Sequence, residues 1–337
     1  RPGPRGSRRS RDFGMIPSDW VDSAGTRIAP HILRTPLTYD AARGLFIKWE
    51  NRQKTGSFKA RGALNKVLSL SPQERDAGIV TASAGNHGQG VALAGGLTGA
   101  QVTCFVSEHA VPVKVNAIRA LGAEIVAVPG GYPEAEAAGR AFAEEHKKTW
   151  VSPYNDELVI AGQGTIGLEI INSPLLSGEG PGVRLIILVP VSGGGLIAGI
   201  GAALTRLSPR PRLVGVQPET APFMHGLFYR GSQAGIPDLP SLADGLTGAV
   251  EADSVTIPMV KQLVDEIVLV SEEEIARAVA FAFIEYGETI EPSGAVTIAA
   301  ALRGLAGSGP QVAIVSGGNI QPEVHARIVA DYVQERA

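Results

Sequence analysis

Leu185-Ile-Ile-Leu-Val-Pro-Val-Ser-Gly-Gly-Gly-Leu-Ile-Ala198 runs from an unbroken apolar stretch through three glycines into a second apolar stretch. A run that is apolar at every position, rather than at alternate ones, suits a strand covered on both faces, as in a parallel sheet. Glycines at its end permit a tight turn and close approach of a ligand to the backbone. The helix that follows points its first N–H groups at that spot, so the segment reads as strand, anion cradle and helix, most naturally for a phosphate.

The same alternation extends in both directions. Apolar runs at 46–50, 78–83, 101–107, 124–129, 185–191, 212–217, 265–270 and 311–316 predict strands. Amphipathic stretches at 57–70, 86–98, 111–121, 133–147, 157–173, 195–206, 271–285 and 293–306 predict helices between them. Regular β–α alternation implies an α/β chain with doubly wound open sheets, mostly parallel strands, and ligands at the carboxyl ends of strands. The three β–α units within 78–149 read as a small lobe. Residues 17–77 and 150–337 then form a large cofactor-binding lobe assembled from both sides of that insertion. The segment Ser173 to Gly182 reads as a surface loop. Residues 1–16 begin Arg1-Pro-Gly-Pro-Arg5, lack an apolar signal core, and read as a disordered tail or as translated sequence ahead of a start near Met15.

Composition excludes several classes. A net charge of −3 with both signs scattered offers no electrostatic footprint for nucleic acid or a membrane surface. No apolar run approaches the roughly 18 residues that a membrane helix needs. The one cysteine, Cys104, lies in the apolar run Gln101 to Ser107 and reads as a core thiol, in keeping with a reducing cytoplasm. No metal-ligand spacing, Walker loop or nucleophile elbow is present.

Four segments fall where such a fold places ligands. Lys54-Thr-Gly-Ser-Phe-Lys-Ala-Arg-Gly-Ala63 sets Lys59 in the first turn of a helix, where the dipole lowers its pKa and favours the neutral amine that Schiff-base chemistry needs. Thr81-Ala-Ser-Ala-Gly-Asn-His-Gly-Gln-Gly90 ends a strand with polar side chains, and the N–H groups opening its helix suit a carboxylate. His87 there reads as a structural, hydrogen-bonding histidine rather than a general base. The third segment is the glycine cradle itself. The fourth, Val312-Ala-Ile-Val-Ser-Gly-Gly-Asn319, ends a strand in a hydroxyl, Ser316, that can partner a ring nitrogen. Gly193-x-Gly195-x-x-Ala198 with Glu219 downstream also fits the loose dinucleotide fingerprint, but that reading leaves the Lys59 segment unexplained. Gly162-Gln-Gly-Thr-Ile-Gly167, which lacks a strong preceding strand, is a coincidental match.

Taken in this order, the four segments resemble the fold type II, tryptophan synthase β-like, pyridoxal-phosphate enzymes, and within them the threonine/serine dehydratase and serine racemase branch. The resemblance runs from about Thr26 to the C-terminus and implies a coenzyme in the cleft between two lobes. It implies that Lys59 carries pyridoxal 5′-phosphate as a Schiff base and later removes the substrate α-proton, with Phe58 beside the ring and Asn86 donating to the 3′-oxygen. Ser192, Gly193, Gly194, Gly195 and Leu196 would hold the phosphate, Ser192 standing where relatives often have a further glycine. Ser316 would face the pyridine nitrogen, which a neutral hydroxyl leaves largely unprotonated. Ser83, Ala84, Gly85, Asn86 and His87 would grip the substrate carboxylate, and Asp244, Gly245 and Glu291 would line the cleft. The implied activity is loss of water from L-threonine or L-serine, with release of a 2-oxo acid and ammonia.

Racemases of this branch carry a serine where this chain has Ala84, which cannot move a proton, so racemisation is not expected as the main activity. Divalent-metal ligands of racemase-like relatives would fall near Gln217 and Phe223, neither of them anionic, so no required metal is expected there. No C-terminal regulatory domain is expected either. The alternatives are a β-replacement synthase resembling cysteine synthase, a dehydratase of 3-hydroxyaspartate or phenylserine, an amino-acid racemase, and a colourless nucleotide binder. The resemblance further implies a cytoplasmic homodimer or homotetramer.

Overall fold

The computed structural model describes residues 15–176 and 184–336. In chain order its strands are β1 Leu37–Asp40, β2 Leu45–Trp49, β3 Ile79–Ala82, β4 Val102–Ser107, β5 Glu124–Val128, β6 Thr149–Trp150, β7 Ile186–Pro190, β8 Arg212–Pro218, β9 Glu266–Val270 and β10 Gln311–Val315. They form a six-stranded sheet in the order β1-β2-β10-β7-β8-β9 and a four-stranded sheet in the order β5-β4-β3-β6. Every pairing is parallel except β1 with β2. The continuously apolar runs are the buried ones: each residue of β2, β3 and β7 is buried. Helices cover both faces of the larger sheet, which separates two cores. One is centred on Trp49, Leu188, Val216 and Phe281, the other on Phe46, Ile187, Val189 and Ile200.

The strand order locates the ligand site. In the larger sheet the chain leaves β7 toward β8 and β9, then returns to place β10 on the other side of β7. In the smaller sheet it leaves β3 toward β4 and β5, then returns to place β6 beside β3. Each reversal opens a crevice at the carboxyl ends of two neighbouring strands, the position at which open α/β sheets take ligands. The segments after β3, β6, β7 and β10 all emerge at these crevices. Helix Glu157–Ile171 packs against helix Gly195–Leu204 at a separation only glycine permits. A Cβ at Gly164 would lie 2.5 Å from the Gly199 carbonyl oxygen.

All eight predicted strands and all eight predicted helices are present, with ends shifted by a few residues. Helices Ser18–Ile28, Pro72–Ala77, Phe223–Arg230, Thr256–Leu263 and Pro322–Arg336 were not expected, nor were β1 and β6. Of the tail expected at 1–16, residues 1–14 lie outside the described residues, whereas Ile16 is buried beside Val21 and Ala24. The loop expected at 173–182 contains a short 3-10 turn at Pro174–Leu176, and its remainder after 176 lies outside the described residues. Cys104 is buried in β4, as its apolar surroundings predicted. The Gly162–Gly167 match lies inside helix Glu157–Ile171 and makes no strand-to-helix turn.

Candidate active site

Lys59 opens helix Lys59–Leu68, with Phe58 as its N-cap. The preceding segment is pinned to the end of β10: Phe58 N–H donates to the Ser316 carbonyl at 3.0 Å, and Ser57 forms a bridge with Gly317. This contact sets the Lys59 amine near both crevices. Its Nζ donates to the Pro153 carbonyl, just beyond β6, at 2.9 Å, and lies 5.1 Å from the centre of the Phe58 ring. Burial lowers its pKa from 10.5 to about 8, against an opposing pull from Glu291. Desolvation thus lowers it in addition to the helix dipole invoked from sequence. The neutral fraction of the amine grows as pH rises through about 8. Capture of an aldehyde coenzyme by the apoprotein is therefore expected to slow about tenfold for each pH unit below that value and to level off above it. Absorbance-monitored reconstitution across pH checks this; a flat profile would contradict it.

The segment after β3 opens helix Asn86–Thr98, and no side chain caps its first turn. The first N–H groups of an α-helix lack intrahelical partners, so this end is able to take an anion. Ser83 shapes the turn by accepting the Gly85 N–H at 3.2 Å. Ala84 is partly buried against the core that includes Ile118 and Cys104. His87 is buried, and its Nε2 lies 3.0 Å from the Val151 carbonyl across the β3–β6 crevice. A carbonyl can only accept, so Nε2 carries the hydrogen, and Nδ1 is a buried acceptor without a partner among the described residues. Burial, with Lys59 nearby, lowers the imidazole pKa to about 3. A group so weakly basic and so engaged suits a structural donor better than a base.

The glycine segment after β7 is a cradle whose walls are visible. Gly194 adopts φ +86°, a left-handed conformation, and caps the fully buried helix Gly195–Leu204. A Cβ at Gly193 would lie 2.4 Å from the Tyr154 ring. The Gly193 carbonyl accepts the Thr256 hydroxyl at 2.6 Å, which fixes one side of the loop. Leu196 is buried in the core behind the loop, and Ser192 is half-buried at its start. Gln163 stands on the other side, where its Nε2 donates to the Pro153 carbonyl at 3.3 Å. Its Oε1 is buried, has no partner among the described residues, and lies 2.8 Å from where a Cβ of Gly195 would sit.

Ser316, buried at the end of β10, lies beside Gly294 and the Lys59 segment. Glu291 approaches the same place, since a Cβ at Gly317 would lie 2.2 Å from its Oε1. Asn86 Nδ2 donates to that oxygen at 2.7 Å. Burial raises the Glu291 carboxyl to about 7, against the Asn86 hydrogen bond. Asp244 is exposed and pairs at 3.0 Å with Lys114, which lies on the helix after β4, while Gly245 N–H donates to Ser293 Oγ at 3.0 Å. Gln217 is buried, its Oε1 accepting the His225 N–H at 2.7 Å, and Phe223 is a core residue.

The structure therefore brings Lys59, Phe58, the 83–87 turn, the glycine cradle, Ser316 and Glu291 to one region, with Asp244 and Gly245 at its edge. Sequence reading missed Pro153, Tyr154 and Gln163, although Val151-Ser-Pro-Tyr-Asn155 carries the Pro and Asn that mark a strand end. The two-residue strand before it was too short to be seen.

Residues 28–317 match the family described as "Pyridoxal-phosphate dependent enzyme". An L-threonine ammonia-lyase of Thermotoga maritima is 40% identical over 94% of this chain and 78% of its own length. Among solved structures, maize serine racemase has a TM-score of 0.85 at 30% identity, covering 96% of this chain and 99% of its own. A threonine deaminase from T.th. has a TM-score of 0.81 at 37% identity, covering 90% and 98%. The donor set fits the coenzyme that the family is named for. An amine of lowered pKa can engage its aldehyde, a glycine cradle at a helix start can take its phosphate, and a buried hydroxyl stands at the end of β10 beside the Lys59 segment. By the match across most of its length and by the residues gathered at its two crevices, the chain belongs to the pyridoxal-phosphate dependent enzymes.

Proposed function

We propose that this enzyme dehydrates and deaminates L-threonine, and L-serine as a second substrate, to a 2-oxo acid and ammonia. The observation that carries the reading is the Lys59 amine, with its pKa lowered to about 8, held at the Pro153 carbonyl between two open helix starts. The 40% identity to an L-threonine ammonia-lyase supports the substrate class. When bound, pyridoxal phosphate supplies an electron-withdrawing ring conjugated to the substrate nitrogen, which acidifies the α-carbon.

Each group has one task in this reading. The Asn86–Thr98 helix start binds the substrate carboxylate through its unpaired N–H groups. Ser192 to Leu196 bind the coenzyme phosphate. Lys59 Nζ takes the α-proton once its amine is free, a role that a pKa near neutrality suits. Phe58 would pack beside the ring, Asn86 would donate to its 3′-oxygen, and Ser316 would meet its nitrogen with a neutral hydroxyl. Asp244, Gly245 and Glu291 would border the substrate, and Glu291 accepts a hydrogen bond from Asn86. The large lobe (17–77 and 150–337) and small lobe (78–149) would hold the coenzyme between them. A homodimer or homotetramer in the cytoplasm completes the reading, and the unpaired, buried Cys104 supports that location.

The likeness to maize serine racemase favours an isomerase as the second reading. Ala84 opposes it, because a methyl group cannot exchange a proton on the face opposite Lys59. A panel of threonine, serine, 3-hydroxyaspartate and phenylserine, each assayed for ammonia and 2-oxo acid, decides the substrate. Threonine is expected to turn over fastest. Threonine and serine both inert beside an active bulkier relative would overturn the assignment, and inversion at Cα outpacing ammonia release would favour the racemase.

A further inference from the structure

Asn319 lies four residues beyond the end of β10. Its Nδ2 donates to the Thr55 carbonyl at 2.8 Å and to Asn86 Oδ1 at 2.6 Å. Asn86 Nδ2 in turn donates to Glu291 Oε1 at 2.7 Å. The two ends of an amide look alike in shape, so their orientation is set by the hydrogen bonds around them. A backbone carbonyl can only accept, and the Thr55 carbonyl therefore forces the NH₂ end of Asn319 toward itself. That NH₂ group also faces Asn86, which must present its oxygen in return. The NH₂ end of Asn86 is left pointing the other way, with one hydrogen for Glu291 and one to spare.

Glu291 cannot impose this orientation by itself. Its carboxyl is raised to about 7, so near neutrality it offers either a donor or an acceptor to whichever amide end arrives. Asn319 has no such freedom. Its backbone is held against the Lys59 segment: Gly318 N–H donates to the Gly56 carbonyl at 2.9 Å. Its Oδ1 occupies the space over Gly56, where a Cβ would come within 2.6 Å. One side chain thus ties together the segment before Lys59, the start of helix Asn86–Thr98 and the end of β10.

We propose that Asn319 is a positioning residue that fixes the polarity of the Asn86 amide, so that a donor and not an acceptor faces the coenzyme's 3′-oxygen. This rests on the reading that Asn86 serves the coenzyme. A carboxylate at 319 reverses the logic. It accepts from Asn86, draws the NH₂ end toward itself, and turns the Asn86 oxygen toward the electron-rich oxygen of the ring.

Equilibrium titration of apoprotein with pyridoxal phosphate, together with the pH dependence of the bound coenzyme's absorption band, tests this. Asn319→Asp is expected to weaken coenzyme affinity about tenfold or more and to shift the band's titration. Asn319→Ala, which unlocks the amide without reversing it, is expected to cost about threefold. In an Asn86→Ala background either change at 319 should have little further effect, because the group it orients is gone. Equal losses in both backgrounds, or an Asn319→Asp protein with unaltered affinity and band, would overturn the proposal. If the aspartate variant does not fold, the cycle between Asn319→Ala and Asn86→Ala decides on the same criterion. Borohydride labelling of each variant keeps the two readings apart. A labelled Lys59 with no effect at 319 refutes the positioning role alone, whereas an unlabelled Lys59 in the unaltered protein refutes the proposed function.

Discussion

Replacing Lys59 with alanine is expected to lower ammonia release from threonine by about a thousandfold or more. The coenzyme's absorption at the violet edge should be lost along with it. The expectation follows from the double use of one atom. Lys59 Nζ has to be neutral to engage an aldehyde, and it has to be basic to take a proton from carbon. A pKa lowered to about 8 by burial serves both uses near neutral pH. Among the described groups near the coenzyme site, His87 cannot substitute, because its pKa of about 3 and its bond to the Val151 carbonyl leave it no basicity to offer. Lys59→Arg should be as inactive as Lys59→Ala although it keeps a positive charge, since a guanidinium stays protonated. The measurement is a paired one: turnover, and peptide mapping after borohydride treatment to locate a pyridoxyl group. A Lys59→Ala protein that retained the label and the turnover would remove Lys59 from its role.

The second large effect concerns stability. Two residues past Lys59, the Arg61 guanidinium is fully buried and donates to both Glu50 oxygens at 2.7 and 2.8 Å, to Glu169 at 2.7 Å and to Thr165 at 3.2 Å. Lys48 Nζ meets Glu169 at 2.5 Å and the Thr35 carbonyl at 2.6 Å. Two cations and two carboxylates therefore close a neutral buried set that joins β2, helix Lys59–Leu68 and helix Glu157–Ile171. Burial opposes the charge on Arg61, and Glu50 and Glu169 outweigh it. Burial likewise opposes charge on Glu169, and Arg61 and Lys48 hold its pKa below the usual range all the same. Arg61→Met leaves Glu50 and Glu169 with too little compensation and is expected to destabilise the fold by about 3–5 kcal/mol. Arg61→Met with Glu50→Gln removes one charge of each sign and should recover part of that loss. Denaturant midpoints for the single and double variants check the pair; a single variant with an unchanged midpoint would show that the set contributes nothing. Because Lys59 begins the helix that this set anchors, a destabilised variant should also bind coenzyme less tightly.

Much of the site was legible because its segments are locally self-consistent. A buried strand ending in Ser-Gly-Gly-Gly can hardly be anything but a turn into a helix start. Lys59, the 83–87 turn and Ser316 likewise stand at element ends that apolar periodicity had already marked. The unexpected elements share a different cause. β1 is an edge strand with two exposed central residues, so its run looks like a loop. β6 has two residues and exists only because Ile79 and Val80 pair with it. Helix Ser18–Ile28 buries Val21, Ala24 and Ile28 alone, a stripe too thin to stand out against its polar surroundings.

Pro153, Gln163 and Asn319 were invisible for a stronger reason. Each acts through an atom that any proline, glutamine or asparagine possesses, and its meaning comes from what stands opposite. The Pro153 carbonyl matters because the Lys59 amine reaches it from 94 residues away. Asn86 meets Glu291 across a separation of 205 residues and Asn319 across 233.

From its residues alone, this chain was bound to be an alternating β–α protein, because strands apolar on both faces must be covered on both faces. The amine, the two glycine-bearing turns at helix starts and the hydroxyl were also written in short stretches of the chain. Only the folded molecule decided that these lie together, through two reversals of strand order that set β10 beside β7 and β6 beside β3. Strand order depends on hydrogen bonds between runs far apart in the chain, and such bonds leave no periodicity in the runs themselves. The lowered pKa of Lys59 has the same origin, since desolvation comes from neighbours that the tertiary fold supplies.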